Sequence, residues 1–175
     1  MFDPTAFDNI KVVVEGAIYD KDLDGDIRIV DRDDIINLAK LSRRFSLSFS
    51  LSHQKRNSVI AVLIVEAALK NLAAEILDHA ETSPLAGAEI TVSFLLTHED
   101  DPILYNEIQR LLETIWGNDR TISQVASFHP VNKGTLIENK TTVHFNRLVR
   151  EDHIEDLTEM VEYMVISLQE LENIM

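Results

Sequence analysis

The chain is 175 residues long, 45% hydrophobic, free of cysteine, and carries a formal net charge of −14. That length fits a single domain, residues 1–175, burying roughly 70% of its unfolded surface, and the lack of cysteine excludes disulfides, thiolate metal sites and thiol nucleophiles. The acidity opposes nonspecific nucleic-acid binding, because phosphates attract basic surfaces.

The N-terminal MFDPTAFDNIK has neither the basic nor the apolar segment of a signal peptide, which predicts a cytoplasmic protein. Asn139-Lys140-Thr141 then carries no glycan. From Ile10 to Tyr19 the residues are rich in β-branched and aromatic types, with a glycine at 16, and predict a strand. Asp24-Gly25 predicts a tight hairpin, and Ile27 to Val30 the returning strand. Asp31 to Arg44 predicts a helix with Ile35, Ile36, Leu38, Ala39 and Leu41 apolar. Phe45 to Ser52 alternates large apolar residues with serine, which predicts a strand whose serine face lets another layer approach closely.

Residues 55–82 predict a buried central helix. Val59 to Val65 is apolar on every side, and Leu69, Leu72, Ala73, Ile76 and Leu77 then narrow to one stripe. The apolar run stops at Glu66, short of the roughly 18–20 residues a membrane span needs, so no membrane partner is expected. Ala88 to Leu96 predicts a buried strand, and Pro102 to Trp116 a helix ended by Gly117. Thr121 to Val131 and Leu136 to Val149 predict two further strands, joined at Asn132-Lys133-Gly134. The fold class is therefore α+β: a largely antiparallel sheet of about six strands packed on the central helix and flanking helices.

Glu151 to Met175 predicts a last helix, with Leu157, Val161, Met164, Leu168 and Leu171 on one stripe, eight acids and no Lys or Arg. Its spacing permits a coiled-coil seam, but the flanking positions lack paired charges. It suits core packing or a homodimer interface. Between Ile35 and Val65 there is no acid, whereas Lys40, Arg43, Arg44, Lys55 and Arg56 are basic. Arg43, Arg44, Lys55 and Arg56 join the helix as candidate interaction residues, and Lys55 and Arg56 also stand where the central helix would begin, the end that holds anions.

Asp20, Asp22, Asp24 and Asp26 alternate through a segment with Gly25, and Asp31 closes it at the twelfth position. Oxygen ligands at alternate positions wrap a hard cation, and glycine supplies the sharp turn. The segment resembles the calcium loops of the EF-hand and dockerin type over these twelve residues and the helix predicted to follow. The resemblance implies Ca²⁺ or Mg²⁺ held by Asp20, Asp22, Asp24, Asp26 and Asp31. The places that present apolar residues in an entering helix hold Gly16 and Glu15 at two of four, and Asp31 replaces the usual Glu. The bland alternative is a solvated acidic turn. No other cofactor is implied.

His98 with Glu99, Asp100 and Asp101 is the best cluster for proton transfer or a metal, lying between a predicted strand and a predicted helix. A helix-capping loop explains the same residues. No Walker loop, GxSxG, GxGxxG or HExxH pattern occurs. Three function classes follow in order: a non-catalytic interaction protein, homodimeric or bound to a protein partner; a cation-binding module; and a small-molecule enzyme centred on His98.

Overall fold

The computed structural model describes residues 5–53, 59–77, 83–131, 134 and 136–175. It is an α+β fold, a six-stranded antiparallel sheet with helices. In chain order the elements are α1 (Ala6–Leu23), β1 (Ile27–Asn37), β2 (Ser42–Leu51), β3 (Ile60–Ala67), α2 (Leu69–Leu77), β4 (Ala88–Glu99), α3 (Pro102–Trp116), β5 (Thr121–Ser127), β6 (Leu136–Val149) and, after a 3₁₀ turn at Glu151–His153, α4 (Ile154–Ile174). The strands run in the order β1-β2-β3-β4-β6-β5, leaving β1 and β5 as the edges.

Three expected elements are corrected. The segment Ile10 to Tyr19 belongs to helix α1 and not to a strand. Its β-branched run is overridden by a stripe at three- and four-residue spacing, Phe7, Ile10, Val14 and Ile18, all fully buried. Gly16 lies on an open side where a Cβ would meet nothing, so its helix penalty of about 1 kcal/mol is outweighed by packing.

Asp31 to Arg44 is strand and turn, not helix. Asn37 turns the chain by accepting hydrogen bonds on its side-chain oxygen from the Ala39 and Lys40 N–H groups at 3.1 and 3.0 Å. Ile35, Ile36, Leu38 and Leu41, which would have formed the helix stripe, are exposed.

The central helix over 55–82 is a buried strand followed by a shorter helix, β3 and α2, within the residues described. A run apolar on both sides suits an interior strand as well as a buried helix, and the Val and Ile content decides for the strand. The segment does lie at the centre: β3 pairs with β2 on one side and β4 on the other.

Alternation along the strands gives the sheet two unlike faces. Phe45, Leu47 and Phe49 of β2 stand opposite Val65, Leu63 and Ala61 of β3, which stand opposite Ile90, Val92 and Phe94 of β4. These form the inner face and join α1, α3 and α4 in one hydrophobic cluster. Each large side chain buried there contributes about 1.5–3 kcal/mol. The cluster takes none of Ile60, Val62, Ile64, Leu95 or Val125, which point the other way.

Helix α3 begins at Asp101, whose carboxylate accepts from the Ile103 N–H at 2.9 Å, with Pro102 at the first helical position. Gly117 ends it at φ +79°. Glu75 of α2 ties three parts of the chain together. Its two oxygens accept from the Ala6 N–H at 2.9 Å and the Gly87 N–H at 3.1 Å, joining the start of α1 to the approach to β4.

Candidate functional site

A cleft of about 510 Å³ with chemical character lies between the end of α3, the start of α4 and β6. An irregularity in β6 shapes it. Glu89 pairs with Leu148 and Thr91 with His144, so three positions on β4 face five on β6. The additional residues bulge out, with Asn146 held in the left-handed region at φ +56° and its amide donating to the Thr121 hydroxyl at 2.8 Å. Such bulges re-aim side chains. Here Phe145 and Arg147 both line the cleft.

Trp116 meets Phe145 edge-on at 5.8 Å and Tyr163 at 5.9 Å, giving the cleft an aromatic wall. The Arg120 guanidinium lies 5.1 Å from the Phe145 ring centroid. Its Nε is buried and has no hydrogen-bond partner among the described residues. On the α4 side, Glu159 accepts from the Tyr163 hydroxyl at 3.0 Å, which raises the tyrosine above its ordinary range. None of these residues was a candidate in the sequence, because Trp116, Arg120, Phe145 and Tyr163 sit on separate elements with no shared spacing.

His98 is buried between β4, β6 and α3. Its Nδ1 lies 2.7 Å from the Glu99 carbonyl, which can only accept, so Nδ1 carries the proton and Nε2 accepts from the Asn139 amide at 3.1 Å. The same amide donates to Gln124, and Gln124 donates to the Tyr105 carbonyl and to Gln109. Both ring nitrogens are thus engaged in a buried polar chain that fastens α3 to the sheet. The acids beside His98 have other tasks. Asp101 caps α3, while Asp100 accepts from the Tyr105 hydroxyl at 2.9 Å. Burial first, and that bond second, push the Tyr105 pKa up. Both ring nitrogens of His98, the catalytic candidate of the sequence, are therefore taken up by protein groups in this arrangement.

The acidic segment does not form the wrapped loop that the resemblance to calcium loops implied. Helix α1 continues through Leu23, so Asp20 and Asp22 are about 200° apart around its axis. The Asp24 N–H donates to the Asp20 carbonyl, and Gly25, at φ +82°, donates to that of Asp22. Asp22 spends a side-chain oxygen on the Ile29 N–H at 3.1 Å. Asp26 lies 3.8 Å from Lys21, and Asp31 accepts from the Arg32 N–H on β1. The Asp24-Gly25 turn joins a helix to a strand, and a strand follows where the resemblance expects a helix. Among the described residues, no three His, Asp or Glu side chains are grouped to hold a metal ion.

The interaction residues are also redistributed. Leu157, Val161, Met164, Leu168 and Leu171 are at most 3% exposed and belong to the core of their own chain, so they offer no free interface. Arg43 forms a two-bond pair with Asp8 at 2.8 and 3.0 Å and lies 4.4 Å from the Phe7 ring centroid. Burial alone would raise the Asp8 pKa, but the bonds from Arg43 and Thr5 prevail and hold it below the ordinary carboxylate value. Arg44 stands 3.7 Å from Glu66. Lys55 and Arg56 lie outside the described residues.

The outer sheet face was partly legible in the serine alternation of β2. Ser46, Ser48 and Ser50 stand beside Ile60, Val62 and Ile64 of β3, then Thr91, Ser93 and Leu95 of β4, Thr142 of β6, and Ser123 and Val125 of β5. None carries a charge. Ser93 and Thr142 bond to each other at 3.1 Å, and these short side chains are buried among their neighbours, whereas Leu95 and Val125 are exposed. Charges of both signs border these residues, with Asp31 and Asp33 along β1, Arg44, Glu66 and Glu89 at one end and Glu138 at the other, and Lys140 stands among them between Leu95 and Val125.

No protein-family model, curated protein or solved structure significantly matches this chain.

Proposed function

We propose that this protein is a non-catalytic interaction module that pairs with a second copy of itself through the outer face of its sheet. The observation that carries the reading is the acid-free patch over β2, β3, β4, β6 and β5, in which Lys140 is the one charge among the residues named, on a chain of net charge −14. Two copies of so acidic a protein repel each other over most approaches. A surface without acids, bordered by cations and anions, is where a two-fold arrangement can set unlike charges opposite each other.

Each outward residue covers about 6.6 by 4.8 Å of sheet, so the twelve named above span roughly 380 Å². A standard interface buries about 800 Å² per partner. The charged border must therefore join the contact, giving an apolar and hydroxyl centre with a polar rim. The cysteine-free composition suits a reducing, cytoplasmic compartment. No helix of the described residues is long and apolar enough to cross a membrane.

The test is the double substitution Val62→Lys with Leu95→Lys, followed by size-exclusion chromatography with light scattering. Both side chains lie outside the core cluster. The reading expects a dimer that becomes a monomer with its circular dichroism spectrum intact. An assembly that survives both lysines would refute it.

A further inference from the structure

We propose that the cleft between the end of α3, the start of α4 and the β6 bulge is a binding site for a small aromatic carboxylate. The site is separate from the outer sheet face, and the proposal stands or falls independently of dimerisation. Its volume of about 510 Å³ fits a ligand of one or two fused rings. Trp116, Phe145 and Tyr163 supply an aromatic wall against which a flat ring system packs edge-on or offset.

Two cations select the charge. Arg120 and Arg147 both line the cleft, one just before β5 and the other on the bulge. Arg120 is the anchor. Its guanidinium is stacked on Phe145 and its Nε is a buried donor that no described group satisfies. A buried unpaired donor is costly, and a planar fork of N–H groups matches a carboxylate with two parallel hydrogen bonds. A ligand carboxylate would pair with the Arg120 guanidinium at the cleft while its ring lies along the wall.

The acids of the cleft set the ligand's orientation. Asp156 and Glu159 line the α4 side, and Glu159 is already bonded to Tyr163. An anion placed there would be repelled, so the carboxylate points toward Arg120 and Arg147 and the neutral ring toward Tyr163.

Trp116 is the chain's single tryptophan, so its indole N–H gives one resolved signal in a ¹H–¹⁵N spectrum. The experiment titrates the full chain with 1-naphthoate, and in parallel with the neutral 1-naphthalenemethanol, following that signal. Saturable naphthoate binding at least tenfold tighter than the alcohol is expected, and Arg120→Met and Arg147→Met each weaken it at least tenfold. Arg147 is exposed, so its replacement leaves the fold intact even if that of Arg120 does not. No movement of the indole signal at millimolar naphthoate, equal affinity for acid and alcohol, or unchanged affinity in Arg147→Met would each overturn the proposal.

Discussion

Replacing Leu168 with alanine separates a core helix from an interface helix. Leu168 is fully buried in the cluster that α4 shares with α1, α3 and the inner sheet face. Removing three carbons forfeits about 2.4 kcal/mol of transfer free energy at about 0.8 kcal/mol each. A site walled by helices and a sheet relaxes only in part, so the residual cavity brings the total to about 2.5–5 kcal/mol. For a chain of this length each kcal/mol lowers the melting midpoint by about 2–4 °C, which predicts a fall of about 5–20 °C. Urea denaturation measures the free energy, and light scattering measures assembly in the same samples. A loss below about 0.5 kcal/mol accompanied by dissociation would refute the reasoning, because that is the signature of an interface position.

Gly87→Ala should be comparably harmful although only one methyl is added. Gly87 has φ +122°, and a Cβ there would stand 2.5 Å from the Val149 carbonyl oxygen, so the variant is expected to lose about 2–4 kcal/mol in urea denaturation. Asp8, whose pKa is lowered by Arg43 and Thr5 against the opposing effect of burial, stabilises the fold above the ordinary carboxylate range. The stability difference between the parent chain and Asp8→Asn should therefore be fully present near neutral pH and shrink as pH falls below about 4 toward the folded-state pKa. Because α1 continues through Asp20 and Asp22, excess Ca²⁺ or Mg²⁺ is expected to leave the melting midpoint where an equal ionic strength of NaCl leaves it; a shift of several degrees abolished by Asp24→Asn would show a site.

The later half of the chain was largely legible because its signals are local and agree. Asp101-Pro102 starts α3 and Gly117 stops it, while Leu157, Val161, Met164, Leu168 and Leu171 keep a helical period through α4. In the first half the local signals compete. Val12-Val13-Val14 speaks for a strand, but the buried stripe from Phe7 to Ile18 supplies more packing than the β-branched run costs. Ile35, Ile36, Leu38 and Leu41 mimic a helix stripe because the tip of the β1–β2 hairpin carries apolar residues in solvent. Val59 to Val65 has no amphipathic period, and only the partners on both sides distinguish an interior strand from a buried helix.

The candidate sites were less legible for the same reason at longer range. The acidic residues from Asp20 to Asp31 match a ligand spacing, but spacing positions ligands only if the backbone wraps, and here it stays helical until Leu23. His98 and its acidic neighbours are adjacent in sequence, whereas the partners that define its role, Asn139 and Gln124, come from β6 and β5. The cleft depends on a two-residue bulge in β6 that alternation in Leu136 to Val149 does not reveal.

Sedimentation equilibrium of the unmodified chain at about 1–100 µM, a range that spans micromolar association, tests the central claim most directly. The account predicts a mass that rises toward twice the 19.9 kDa of one chain, and an association that the paired Val62→Lys and Leu95→Lys substitutions abolish. A single 19.9 kDa species across the whole range would contradict pairing through the outer sheet face.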